Sequence, residues 1–294
     1  MLIDGHALVH RAFHALPPTL SSPKGVPTNA VFGFISVLLK MIKDLKPDYI
    51  AATFDLAAPT FRHEEFAEYK IHREKAPDEL HAQTPLIKEV LIAFGIPIYE
   101  KPGFEADDLI GTLTEKAKNP ALADKGWANV QVIIMTGDLD TLQLVDDKKV
   151  VVFTLRKGVT DTVIYDEDEV VKRYGLKPEQ LNDFKGLKGD PSDNIPGVPG
   201  IGEKTASALI QEYGSLEDLY EYVEKHKTPR TNPLTRMLRG RQEPRLRPMA
   251  SDGQAKPKQN TKHKDKNVLT AKLIEKLLEN KDMAFFSKKL ATII

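Results

Sequence analysis

Val130-Gln131-Val132-Ile133-Ile134-Met135-Thr136-Gly137-Asp138-Leu139-Asp140 decides the fold. Its centre is a short apolar run without the alternation of a strand that faces water on one side, so it reads as a strand buried on both faces. The run stops at Thr136-Gly137 and delivers two carboxylates, Asp138 and Asp140. The same pattern recurs elsewhere: Leu2-Ile3-Asp4 is a short strand closed by an acid, and Tyr49 to Phe54 is a compact apolar strand closed by Asp55. Ile96 to Glu100 and Val150 to Thr154 supply further strands. Between them, Asn29 to Leu45, Pro85 to Phe94 and Asp107 to Lys118 read as helices, the first carrying apolar residues at helical spacing. Strands alternating with helices predict an α/β fold with a mainly parallel central sheet flanked by helices. A smaller all-helical part is expected from about Pro178.

In such a sheet the carboxyl ends of the strands share one rim, so acids far apart in sequence converge there. Nine carboxylates qualify: Asp4, Asp55, Glu105, Asp107, Asp108, Asp138, Asp140, Asp190 and Asp193. That many acids cannot all ionise in one place without cations. Oxygen-only ligands suit Mg²⁺ or Mn²⁺, and two such ions roughly 4 Å apart are a recurring device for cutting a phosphodiester. The acids therefore imply metal-dependent phosphodiester chemistry.

Composition narrows the setting. With no cysteine among 294 residues, disulfides and thiolate metal sites are excluded, and a reducing compartment is favoured. No apolar run approaches the roughly 20 residues that cross a bilayer, and the N-terminus lacks a signal-peptide pattern. A cytoplasmic protein is the expectation, with no membrane partner and a monomer as the default. The formal charge of zero hides an asymmetry, because 225–267 holds 13 Lys and Arg against 3 Asp and Glu. An acidic body thus carries a basic tail. From Thr228 to Lys266 that tail has hardly any periodic apolar residues and is expected to be disordered. It reads equally as added nonspecific DNA affinity or as a solvated linker. Lys272 to Leu278 and Met283 to Leu290 then return to helical pattern.

Two further stretches carry chemistry. Ala57 to Gln83 is poor in apolar residues and rich in Arg, Lys, His and Glu, and reads as a solvated helical excursion. Gly197-Val198-Pro199-Gly200-Ile201-Gly202-Glu203-Lys204-Thr205 sets glycines before a helix start, where a tight turn can aim backbone N–H groups at a phosphate. That is a helix–hairpin–helix type of grip on DNA backbone, which positions a duplex without reading its sequence. The alternative is a plain connection between helices.

Taken together, Leu2-Ile3-Asp4-Gly5-His6, Thr53-Phe54-Asp55, Pro59-Thr60-Phe61-Arg62-His63-Glu64, Glu68-Tyr69-Lys70-Ile71-His72-Arg73, Phe104-Glu105-Ala106-Asp107-Asp108, Thr136 to Leu144 and Gly189 to Ala206 resemble the 5′-3′ exonuclease domain of the bacterial polymerases I, within the flap endonuclease family. The resemblance runs to about Tyr222 and resumes at Ser287 to Ile293. It implies a PIN-like nuclease core over 1–177, with a helical arch at about 57–83, and a helix–hairpin–helix region over 178–294 interrupted by the insertion at 228–266. It also implies a structure-specific 5′-3′ exonuclease and flap endonuclease working by two-metal catalysis in primer removal and DNA repair.

For individual residues, the resemblance implies that Asp4, Asp55 and Asp107 hold one metal. Glu105, Asp138, Asp140 and Asp193 lie mostly around the second, with Asp108 and Asp190 outside them. Arg62, Lys70 and Arg73 would reach the scissile phosphate from one helix of the arch, the alternative being a solvated charged helix. His10 stands where the family usually has a tyrosine that stacks on a base, and His6 and Arg11 sit near the same rim. Lys204 and Thr205 would meet phosphate, and carbonyls of the hairpin around Gly197, Gly200 and Gly202 would bind K⁺. Expected partners are DNA with a 5′ flap, nick or branch, RNA primers paired to DNA, and a polymerase domain in cis or in trans, in bacterial nucleoid-associated work. Two other readings compete: a PIN-type single-strand ribonuclease, and a noncatalytic module for branched DNA. The intact acids count against the latter and the glycine hairpin against the former.

Overall fold

The computed structural model describes residues 1–118, 130–157, 161–226 and 269–294. The basic stretch 228–266 lies outside the described residues, so the expectation of disorder there is not addressed. Six strands form one sheet in the order β3-β2-β1-β4-β5-β6. They are β1 (Leu2–Asp4), β2 (Ala51–Thr53), β3 (Ile98–Tyr99), β4 (Val132–Thr136), β5 (Val150–Lys157) and β6 (Asp161–Tyr165). All neighbours are parallel except β5 and β6, a final antiparallel pair that the apolar pattern did not reveal. Val163 is partly buried and Ile164 is exposed, so β6 lacks the continuous apolar run that marked β4.

Alternate residues of each strand feed opposite cores, as a pleated sheet requires. Ile134, Val150 and Val152 join the core that also holds the C-terminal helices. Ile3, Met135, Phe153 and Leu155 join the other, beneath α1 (Gly5–Ala15), α2 (Asn29–Leu45) and α4 (Asp78–Ala93). The parallel sheet covered on both faces agrees with the expected fold class.

The helical excursion expected over about 57–83 is helical only in part. It consists of α3 (Phe61–Glu65), then turns through Arg73, then α4, which starts at Asp78 and carries Pro85 inside it. Packing overrides the proline. Leu80 and Gln83 are fully buried, and the Gln83 amide accepts from Ala30 N (2.8 Å) and donates to Asn29 Oδ1 (2.9 Å), pinning the first turns of α4 onto α2.

The chain turns all-helical earlier than expected. After α5 (Ala106–Lys118) and the sheet, α6 (Glu167–Tyr174) precedes α7 (Leu181–Lys188), α8 (Glu203–Tyr213) and α9 (Leu216–Lys225). Beyond the undescribed stretch, α10 (Ala271–Glu279) packs on α9, and α11 (Lys281–Ala291) packs on α7. Among the described residues no helix is long and apolar enough to cross a membrane.

Candidate active site

The order of the sheet reverses at β1, with β2 on one side and β4 on the other. Ligands of such sheets bind outside the carboxyl ends of the strands at this switch point. There a cleft of about 470 Å³ is lined by Asp4, Asp55, Glu105, Asp107 and Asp138, with His6, His10, Arg11, Lys70 and Arg73 around them.

Three of these acids are held by helix starts. Asp4 is the N-cap of α1, its Oδ1 accepting from Ala7 N at 2.9 Å. Asp138 caps the 3-10 helix Leu139–Leu144 by accepting from Asp140 N at 2.9 Å. Asp55 Oδ1 accepts from Ala106 N, at the start of α5, at 2.6 Å. Each uses one oxygen on an otherwise unpaired N–H and gains from the positive end of the helix. In Asp4 the second oxygen accepts from Thr136 Oγ1 of β4 at 2.7 Å, which joins the two strands that flank the switch point.

Electrostatics show what the cluster lacks. Burial, with Asp55 and Asp138 nearby, pushes Asp4 up to about 7 despite its hydrogen bonds. Burial and the neighbouring Asp108 and Glu105 hold Asp107 well above the usual carboxylate range. Asp107 Oδ1 is buried with no hydrogen-bond partner among the described residues. An orphaned carboxylate oxygen amid acids that resist ionising, with oxygen as the available ligand type, fits a hard divalent cation. No three acid or histidine side chains among the described residues are close enough to enclose one ion unaided. The acids surround the cleft and do not meet at a point.

The remaining four acids are taken by cations of the chain itself. Asp193 sits against Arg73 (2.6 Å) and Lys70 (3.8 Å), while Lys70 Nζ donates to Glu105 Oε1 at 2.8 Å. Asp140 and Asp190 are bridged by Lys185, which contacts Asp140 Oδ1 and lies 2.7 Å from Asp190 Oδ2. Burial pushes Asp140 up to about 6 even beside Lys185; Asp190 is held below its ordinary value by Lys185, against the effect of burial. Lys185 was not singled out from the sequence. Its place in α7 ahead of Asp190 carries no local signal beyond ordinary helix-surface chemistry.

Asp108 accepts both Arg62 Nη1 (2.7 Å) and Nη2 (2.8 Å). Arg62, expected beside Lys70 and Arg73 at a phosphate, is instead 2 % exposed and lies on α3, apart from the turns that hold the other two. Burial alone would lower its pKa, but Asp108 raises it. The guanidinium neutralises the buried Asp108, lies 3.5 Å from Glu105 Oε2 behind the cleft wall, and does not itself line the cleft.

Lys70 and Arg73 do reach the cleft, from a turn. Lys70 has φ +56, a strained value for a residue with a side chain. Its N–H donates to Asp193 O at 2.9 Å, and Asn194 Nδ2 donates to Glu68 O at 2.8 Å, so the excursion is laced to the Asp190–Asn194 loop. Between them the buried Tyr69 hydroxyl lies 3.2 Å from Glu105 Oε2 and 3.3 Å from Asp193 Oδ2, and burial raises its pKa strongly. The polar, period-free sequence around Tyr69 carries no signal of its burial.

His6, His10 and His14 follow one face of α1, with ring centroids 5.0 and 6.2 Å apart along the series. Burial and the neighbouring His6 lower His10 to about 4, which keeps its ring neutral near pH 7. Arg11 Nη2 donates to Leu155 O at 2.8 Å.

The glycine hairpin stands away from the acidic cleft, and none of Gly197, Gly200, Gly202, Lys204 and Thr205 lines it. Gly197 (φ +63) and Gly200 (φ +73) need glycine, whereas Gly202 is the extended N-cap of α8. Gly197 N–H does not face outward as expected: it donates to the buried Ser287 Oγ at 3.0 Å. Gly200 and Gly202 N–H find no acceptor among the described residues. Lys204 is exposed on the first turn of α8.

An open parallel sheet that gathers carboxylates at its switch point, with a lysine and an arginine at their edge, is the architecture of a metal-dependent nuclease. The family model described as 5′-3′ exonuclease, N-terminal resolvase-like domain, matches residues 1–175, and that described as 5′-3′ exonuclease, C-terminal SAM fold, matches 176–246. The chain belongs to the 5′-3′ exonuclease family. It is 42% identical to DNA polymerase I of Bacillus subtilis over 294 residues, 100% of the chain and 28% of that protein. It is 47% identical to DNA polymerase I of Mycobacterium tuberculosis over 225 residues, 76% of the chain and 24% of the relative. The chain thus spans about a quarter of the polymerases it matches. The fold is similar to T5 5′-exonuclease with bound zinc (TM-score 0.65, 21% identity, 99% of this chain and 88% of that one). It is also similar to a T5 flap endonuclease complexed with DNA and metal ions (TM-score 0.64, 20% identity, 99% and 88%).

Proposed function

We infer that this chain is a structure-specific 5′-3′ exonuclease and flap endonuclease that hydrolyses DNA phosphodiesters with two Mg²⁺ or Mn²⁺ ions. The observation that carries the reading is the cleft at the switch point, where five acids and an orphaned Asp107 oxygen face Lys70 and Arg73. Asp4, Asp55, Glu105, Asp107 and Asp138 would hold the ions, with Asp140 and Asp193 recruited from Lys185, Lys70 and Arg73. Bound divalent ions supply a Lewis acid and an activated water.

The chain's own groups do the rest. Lys70 and Arg73, ion-paired with Glu105 and Asp193, are cations that a phosphate entering the cleft would meet, where they orient it and offset developing charge. The neutral His10 ring offers a face to a base beside the cut. The Gly200 and Gly202 N–H groups, which have no acceptor among the described residues, and the exposed Lys204 support a grip on duplex backbone outside the cleft. Residues 1–177 form the nuclease core in this reading and 178–294 the DNA-binding region, with K⁺ at the hairpin. The substrates are 5′-flap, nicked or branched DNA and primer RNA paired to DNA, the protein acting as a monomer beside a polymerase domain in cis or in trans.

Cleavage of a 5′-labelled flap substrate, with Mg²⁺ and with EDTA, beside single-stranded RNA, tests this. Metal-dependent cutting near the junction is expected. An intact flap with degraded RNA would hand the site to the ribonuclease reading.

A further inference from the structure

The residues that leave α11, Leu290 to Ile294, form a strap bound to three separate elements of the acidic site. Toward α3, Leu290 O accepts from Arg62 Nε at 2.9 Å and Thr292 O from Arg62 Nη2 at 2.8 Å. Toward α5, Ile294 N donates to Asp108 Oδ1 at 3.2 Å, and the other Asp108 oxygen accepts from Glu105 N at 3.1 Å. Toward the 3-10 helix, the Gln143 amide closes a ring: Nε2 donates to Ala291 O (3.1 Å), and Oε1 accepts from Ile293 N (3.0 Å). The same Nε2 also donates to the carbonyl of Asp140, at 3.0 Å. Leu290 and Ala291 are buried, and Ile293 lies so close to Gly111 of α5 that a Cβ there would come 2.7 Å from Ile293 Cγ2.

We propose that this strap is a positioning device for the metal site, with Gln143 as the residue through which it sets Asp140 and Arg62–Asp108 as the anchor through which it sets Glu105 and Asp107. The physical need is specific. Acids brought together at one rim repel each other, and three of their carrier segments come from distant parts of the chain. A brace made of cations competes with the metal for the same oxygens, as Lys185 does at Asp140 and Asp190. The Gln143 limb carries no charge and binds the carbonyl of Asp140, leaving its carboxylate to the ion. Groups that orient metal ligands in this way are worth about 10–100-fold in metal affinity. The strap also lies far in sequence from every acid it braces, which is why motif reading gave it no role.

The proposal rests on the reading of the cleft as a divalent-metal site, and Mn²⁺ binding separates the two. Mn²⁺ is titrated calorimetrically into the full chain and two variants, with thermal melting in EDTA alongside. Gln143→Leu removes the amide. Gly111→Ala pushes Ile293 from the other side while favouring helix α5 through the higher helix propensity of alanine, so it tests the strap should Gln143→Leu fold poorly. The expected result is Mn²⁺ binding by the parent and roughly tenfold weaker binding by both variants, a change that loss of stability alone would not produce in molecules still folded. Parent-like affinity in the variants overturns the strap's role and leaves the metal site standing. Absence of Mn²⁺ binding by the parent overturns both.

Discussion

Arg62→Met removes the keystone between α3, Asp108 and the C-terminal strap, and its consequence can be worked from the geometry. The guanidinium makes two bonds to the Asp108 carboxylate, at 2.7 and 2.8 Å, and two to main-chain carbonyls, at 2.9 and 2.8 Å. Arg62 is 2 % exposed and Asp108 1 %. Methionine fills much of the volume but leaves Asp108 with only the N–H groups of Glu105 and Ile294. Removing one partner of a buried pair costs about 3–5 kcal/mol, because a charge stays buried uncompensated. At roughly 2–4 °C per kcal/mol for a chain approaching this size, melting should fall by roughly 6–20 °C. Circular dichroism in EDTA measures it without any contribution from bound metal. Adding Asp108→Leu should restore a large part of the loss, since a buried pair replaced by apolar groups is often neutral. A single variant melting within about 2 °C of the parent would refute the assignment of Arg62 to the structure and return it to the phosphate.

Other expectations bear on the cleft and the hairpin. Lys70→Ala and Arg73→Ala should each lower the single-turnover rate on a 5′-flap by about 10²–10³-fold, in line with loss of one preorganised donor. An unaltered rate removes them from the chemistry. Asp140→Ala should abolish cleavage while leaving flap affinity largely intact in a filter-binding or anisotropy assay, and retained cleavage would sink its assignment to the metal. Gly197→Ala should lower both melting temperature and duplex affinity. Its φ of +63 disfavours alanine, and the new Cβ would fall 2.2 Å from Gly189 N, where neither backbone can yield.

Part of this architecture is local and could be read directly. The apolar run Val132–Met135 and the helical spacing of Asn29–Leu45 reflect burial on sheet and helix faces, which periodicity encodes. An acid at or within two residues of a strand's end is also a local pattern, and Asp4, Asp55 and Asp138 all line the cleft. Chemistry that needs carboxylates at strand ends therefore leaves its mark in sequence. What sequence could not decide was pairing. Lys185 bridging Asp140 and Asp190, Arg62 neutralising Asp108, Tyr69 between Glu105 and Asp193, and Gln143 holding the strap are each set by contacts between segments far apart in the chain. Side-chain type alone does not distinguish an arginine aimed at a phosphate from one buried against a carboxylate. Nor does it show that Asp78 to Thr84 extends a helix through Pro85, because the buried Leu80 and Gln83 draw their support from α2. The residue types that perform the chemistry were written in the sequence. Which of them meet, and which charge each one answers, depends on the low-dielectric interior that only the folded chain creates.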